Sequence, residues 1–177
     1  MRIWTIGHST RTIDEFISLL KGNEIELLVD VRAWPSSKRY PQFNKETLAE
    51  SLTVHGIRYE HFPELGGKRK SNPDSRNTAW RNVSFRGYAD YMQTEQFQKG
   101  IERLLDVAAK AGPTAIMCVE AVWWRCHRSL IADYLKARGV EVLHILGAKK
   151  VEPHPYTPAA HIVDGTLSYT SEGDRLI

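Results

Sequence analysis

The chain has few cysteines, no long apolar run and no strong excess of either charge. Without an unbroken apolar stretch of about 20 residues it offers no membrane-spanning helix. Only two cysteines, Cys118 and Cys126, occur in 177 residues. That excludes a disulfide-dense secreted scaffold and favours free thiols. The formal charge of +3 mildly favours anionic partners but is too small for a dedicated nucleic-acid binder. No phosphate-binding P-loop pattern occurs; "HSTRTIDE" and "LGGKRKS" do not form one. Helix-turn-helix spacing, zinc-finger spacing, an aromatic RNA-binding motif and internal repeats are also absent. The opening "MRIWTIGHST" lacks the apolar core of a signal peptide, so a cytoplasmic protein is expected.

What is present is an alternation of strand and helix patterns. "RIWTIG" reads as a strand ending at Gly7. Thr12 and Glu15 have capping-box spacing, and Ile13, Phe16, Ile17 and Leu20 follow at helical spacing up to Gly22. "IELLVDVR" is an apolar run suited to a parallel strand buried on both faces. Asn44 is placed to cap a helix carrying Leu48, Ala49 and Leu52, closed by Gly56. "IRYEHF" follows as a third strand. Residues 63–82, "PELGGKRKSNPDSRNTAWRN", read as a long basic surface loop of the kind that is uncommon unless functional or disordered. A short helix over Phe85 to Met92 and a longer one from Thr94 to Gly112 lead to the strands "TAIMC" and "VEVLHIL", with a helix carrying Leu130, Ile131, Tyr134 and Leu135 between them. Asp-Gly within "HIVDGTLSY" signals a hairpin in a C-terminal tail at about 151–177. The expected fold is a single α/β domain over 1–177, a mostly parallel open sheet with helices on both faces.

In such sheets ligands gather at the C-terminal strand ends. Several chemistry-bearing residues fall there. Cys118 ends a strand, and Glu120, Cys126, His127 and Arg128 lie between it and the next helix. A thiol beside cations and a helix N-terminus has reason to ionise. Cys118, Cys126, Glu120 and His127 are therefore the candidate catalytic groups. Arg32 and Arg128, with His8 and Ser9 after the first strand, are candidate anion-binding groups. Trp80, Trp123 and Trp124 sit in expected loops beside cations, where indoles could stack on a nucleobase or form a hydrophobic lid.

"TIGHS", "LLVDVRAWP", "LGG" and "CVEAVWWRCHRSLIADYL" together resemble the bacterial and archaeal family called domain of unknown function 488, over nearly the whole chain. The resemblance implies a set of characteristic positions: His8, Ser9, Asp30, Arg32, Gly66, Gly67, Cys118, Glu120, Cys126, His127 and Arg128. It implies no activity. A weaker resemblance is to rhodanese-like sulfurtransferase domains. "TIDEFISLLK" precedes "LLVDVR", Cys118 is followed by Arg128 and Ser129, and "GVEVLHILG" is similar to that fold's last strand. Nine residues separate Cys118 from Arg128, a longer loop than a persulfide cradle or a cysteine phosphatase uses.

Each candidate has a purely structural alternative. Cys118 could be a buried apolar residue, and Cys126 an exposed one near the helix start. Glu120 could orient Arg32 or Arg128 through a paired contact, and Asp30 could hold Arg32 internally. Cys118, Cys126 and His127 are soft or borderline metal ligands that His8 or Glu120 could complete, but the cysteine spacing is not that of a closed zinc knuckle, and adjacent Cys126 and His127 rarely aim at one ion when both sit on a helix. No metal and no cofactor are assigned. The sequence leans toward an enzyme acting on a small anionic or nucleotide-like ligand at the C-terminal strand edge. A non-catalytic nucleotide or nucleic-acid binder and a rhodanese-like sulfurtransferase are the alternatives. No membrane partner is expected, and the oligomeric state is not set by the sequence.

Overall fold

A computed structural model describes residues 1–171. Strand β1 (Arg2–Gly7) leads to helix α1 (Ile13–Gly22), whose N-cap Thr12 side chain accepts from the Glu15 N–H. Strand β2 (Leu27–Asp30) is shorter than its apolar run, because Asp30 Oδ1 accepts the Arg32 N–H at 3.1 Å and turns the chain. Helix α2 (Lys45–Val54) follows a short 3-10 turn at Pro41–Phe43. Asn44 occupies the N-cap position of α2, but its side chain accepts from Ser37 N–H at 2.6 Å instead of capping the helix. Strand β3 (Arg58–His61) and a 3-10 turn at Pro63–Leu65 precede the basic segment.

Helices α3 (Val83–Met92) and α4 (Glu95–Ala111) begin with side-chain caps from Asn82 and Thr94. Strand β4 (Thr114–Cys118) runs to a 3-10 turn at Trp123–Arg125 and helix α5 (Arg128–Ala137). Strand β5 (Glu141–Gly147) pairs with an additional antiparallel strand, β6 (Lys150–Pro153). The hairpin strands β7 (His161–Val163) and β8 (Thr166–Ser168) turn at Asp164 and Gly165, both at positive φ. Residues 172–177 of the expected tail lie outside the described residues.

The main sheet has the order β3-β2-β4-β1-β5-β6, parallel except for β6. Alternation along each strand divides the core. Leu28, Ala115 and Met117 pack with α1 and α2, whereas Leu27, Val29 and Ile116 pack with α3, α4 and α5. The chain leaves β1 over the first face toward β2, and leaves β4 over the second face toward β5. These connections part above neighbouring strands, which opens a crevice at their C-terminal ends. Gly7 and Cys118 are register partners at that edge. No helix among the described residues is long and apolar enough to cross a membrane.

Candidate functional site

Cys118 is the last residue of β4 and points to the α3–α5 side. The following segment folds back because Gly7 leaves room for it. A Cβ at Gly7 would lie 1.7 Å from the Glu120 carbonyl oxygen. The crossing is fixed by His8 N–H to Cys118 O at 3.0 Å and Ser9 N–H to Val119 O at 2.8 Å. The 3-10 turn then returns the chain to Cys126, which is extended (φ −138, ψ 152), and His127 is the α5 N-cap. Cys126 and His127 are thus not successive residues of a helix. Both can face Cys118.

The Cys118 and Cys126 sulfurs and a His127 ring nitrogen lie within 4.8 Å of one another. His127 Nε2 is 3.0 Å from the Val31 carbonyl, which can only accept. The proton therefore sits on Nε2 in the neutral ring, and Nδ1 faces the Cys126 sulfur at 3.7 Å. The ring packs against Tyr88 with centroids 4.9 Å apart, and a Cβ on Gly67 would come within 3.0 Å of Nδ1. The Arg128 N–H donates to the Cys126 sulfur at 3.3 Å.

Both thiols are buried: Cys118, for which burial is one of the two readings, is 6% exposed and Cys126 5%. The expectation of an exposed Cys126 is corrected, because the turn tucks it under α5 against the core. A hydrogen bond from Cys126 holds the Cys118 thiol well below the usual thiol range, with the Arg128 charge and, when its ring is protonated, His127 adding to it against burial. Burial, with the Cys118 charge beside it, pushes Cys126 well above that range. Of the pair, Cys118 is the sulfur that carries negative charge first.

These groups line a cleft of about 400 Å³ whose walls include Trp34, Gly67, Lys68, Tyr88, Glu120 and Arg125. Two other cavities, of about 300 and 660 Å³, have no cysteine or histidine in their walls. Residue chemistry, not size, therefore marks the first as the candidate site.

The two arginines expected to clamp an anion have different destinations. Arg32 lies at the cleft wall, but its guanidinium is engaged internally. It forms a fork with Asp30 at 2.9 and 2.7 Å, and it also donates to the Phe43 carbonyl at 2.7 Å. Tyr59 donates to the same Asp30 carboxylate at 2.6 Å. His8 stacks on Phe43 at 4.4 Å behind this pair, with Nε2 3.4 Å from Arg32 Nη1. Burial lowers the His8 pKa, so His8 is a neutral support for Arg32. Ser9, at φ 49, contributes its backbone to the crossing.

Arg128 is 1% exposed and donates to the Glu120 carbonyl at 3.1 Å. Its Nε and Nη1 meet no acceptor among the described residues. Glu120 thus meets Arg128 through its backbone and not through the side-chain pairing that is one of its two readings, and the residue is exposed at the cleft. Arg11 likewise secures strand ends, donating to the Gly7 and Leu146 carbonyls.

The indoles expected at the cleft lie elsewhere. Trp80 is not at the cleft wall but packs behind it, against Phe85, which lines the cleft, and against Tyr169. Trp123 stacks on His144 at 4.7 Å and 7°, and Trp124 stands edge-on to Trp123. Distant Tyr169 and His144 help set the positions of Trp80 and Trp123, and Trp124 packs on its chain neighbour. Trp34 does line the cleft, is 68% exposed and carries Lys68 Nζ 4.8 Å from its ring centre. Its place two residues after Arg32, past the end of β2, was the available signal.

The basic segment is also more ordered than its composition implies. Asp90 accepts from Asn72 N–H, the Ser75 hydroxyl and Asn77 Nδ2. Arg69 lies 3.7 Å over the Tyr91 ring.

A second polar cluster escaped sequence reasoning. Asp133 of α5 is fully buried and accepts from His154 Nε2, Thr157 N–H, the Thr157 hydroxyl and the Tyr169 hydroxyl. His154 Nδ1 lies 2.8 Å from His144 Nε2, and His144 Nδ1 lies 2.6 Å from the Thr5 hydroxyl. Burial pushes the His144 pKa down to about 2, with His154 and Arg128 adding to the shift. This chain ties β1, β5, α5 and the C-terminal segment together.

Fold and site together define an α/β protein with a thiol–imidazole cluster at the C-terminal edge of its sheet. The family described as Domain of unknown function DUF488 matches residues 12–135, and the chain belongs to it. Comparison with curated proteins and with solved structures finds no match.

Proposed function

We propose that the protein is an enzyme acting on a small anionic or nucleotide-like ligand at the C-terminal strand edge, with the Cys118 sulfur as the reacting group. The observation that carries this reading is the convergence of Cys118, Cys126 and His127 in a cleft that also presents Lys68 and Arg125. The cations draw an anion toward the sulfurs. Arg128 is buried behind the cleft-lining residues, not at the wall, and its Nε and Nη1 meet no acceptor among the described residues. Cys126 and His127 hold the Cys118 sulfur in place, and Glu120 is available at the rim to take or give a proton.

The exposed Trp34 beside Lys68 favours a second, non-catalytic reading in which a nucleotide base stacks on the indole. The single domain expected over the chain would then be a binding module. Rhodanese-like sulfur transfer has less support. The nine-residue loop is long, and Arg128 is directed to the Glu120 and Ala121 carbonyls.

The test compares two alkylating agents on the reduced chain in the presence of a chelator. Negatively charged iodoacetate should modify Cys118 faster, relative to neutral iodoacetamide, than it modifies a free thiol. Phosphate or a nucleotide should suppress both reactions. Equal preference to a free thiol, with no protection by any anion, would remove the reading.

A further inference from the structure

We infer that Cys118, Cys126 and His127 form a binding site for a thiophilic divalent cation of the zinc type. Two sulfurs and one imidazole nitrogen are the donor set that selects such ions over magnesium or calcium. Their separation is at most 4.8 Å. Tetrahedral coordination, with bonds of about 2.3 Å to sulfur and about 2.0 Å to nitrogen, places ligand atoms roughly 3.5–3.8 Å apart. Closure therefore needs contraction of about 1 Å.

The surroundings suit coordination. His127 Nε2 is bound to the Val31 carbonyl, so Nδ1 is the nitrogen left for an ion. Metal-bound histidines are commonly oriented by such a backbone acceptor. Gly67 and Tyr88 hold the ring, and the Arg128 N–H already donates to the Cys126 sulfur. The extended backbone at Cys126 lets adjacent residues 126 and 127 supply ligands to one ion.

Three protein ligands leave a fourth position, and the cluster opens on the cleft between Lys68, Glu120 and Arg125. Three ligands with an open position characterise a working ion more than a purely structural one. Two thiolates neutralise a divalent cation, so the Arg128 charge makes the loaded site cationic. An anion or water is the fitting fourth ligand. Loading releases the protons of whichever thiols are not already ionised. The inference shares its cleft with the proposed function but does not require Cys118 to act as a nucleophile.

The experiment uses untagged, reduced, chelator-treated chain titrated with cobalt(II). Expected are one equivalent bound, sulfur-to-cobalt charge-transfer absorption, and visible bands of tetrahedral intensity that zinc abolishes. Cys118→Ser and Cys126→Ser should each reduce the charge-transfer band. His127→Gln should weaken cobalt binding at least about 100-fold, beyond the 10–100-fold that loss of an outer partner costs. Because the cysteine variants are buried and can misfold, wild-type chain provides the second measurement. One equivalent of zinc should protect both cysteines from iodoacetamide. Weak six-coordinate cobalt spectra, or alkylation unaffected by zinc, would overturn the inference. Anion protection of Cys118 without metal uptake would leave the proposed function standing and remove the metal site. Metal uptake without any anion effect would do the reverse.

Discussion

Acidification should weaken the fold through His144, and the size of the effect follows from its burial. The ring is fully enclosed between Thr5, Trp123 and His154, and its pKa is pushed down to about 2 from 6.5. In the unfolded chain the same ring binds a proton near the ordinary value. A group whose folded pKa is depressed contributes stability that is complete above the unfolded pKa. That contribution declines as pH falls toward the folded one. At pH 5 the unfolded ring is about 1.5 units below its pKa, which at ~1.4 kcal/mol per unit is about 2 kcal/mol. At pH 7 the term is close to zero.

Urea unfolding of wild type and His144→Gln at both pH values isolates this term, because most other titrations cancel between the two proteins. The variant should be less stable at pH 7 by about 1–3 kcal/mol, from partners left unpaired in the core. The gap should narrow by about 2 kcal/mol at pH 5. Unchanged m-values would keep the comparison valid. A gap constant within about 0.5 kcal/mol would refute the reasoning that His144 is held neutral by burial.

Asp133→Asn should destabilise the protein by about 3–5 kcal/mol, since a buried carboxylate with four donors loses its charge. A loss under about 1 kcal/mol in urea unfolding would show the network to be dispensable. Gly7→Ala should cost about 3 kcal/mol or more, because the new Cβ meets the Glu120 carbonyl and not a movable side chain. Calorimetry giving a melting temperature equal to wild type would refute that. Trp34→Ala should leave stability within about 0.5 kcal/mol, since the indole is largely exposed. It should weaken nucleotide binding at least about fivefold, as lost stacking of ~1–3 kcal/mol implies. Unchanged affinity by isothermal titration would withdraw Trp34 from the cleft's function.

Local patterns determined the elements. Thr12 and Glu15 marked the start of α1, the apolar "LLVD" run marked a buried strand, and Asp164-Gly165 marked a turn, because each signal acts within one or two turns of chain. The same locality placed Cys118 at the end of β4 and Arg128 at the start of α5. Which groups meet was decided only by the tertiary structure. Arg32 and Arg128 look alike in sequence, yet one pairs with Asp30 and Phe43 and the other with carbonyls of the cysteine loop.

Thr5, Asp133, His144 and His154 carry no shared spacing. They join because β5 pairs beside β1 and the C-terminal segment packs over α5. Cys126 and His127 face Cys118 because a 3-10 turn, not a helix, precedes them and Gly7 admits the crossing chain. A buried polar group takes whichever partner the packed chain brings within hydrogen-bond reach, and that choice is made between segments distant in sequence.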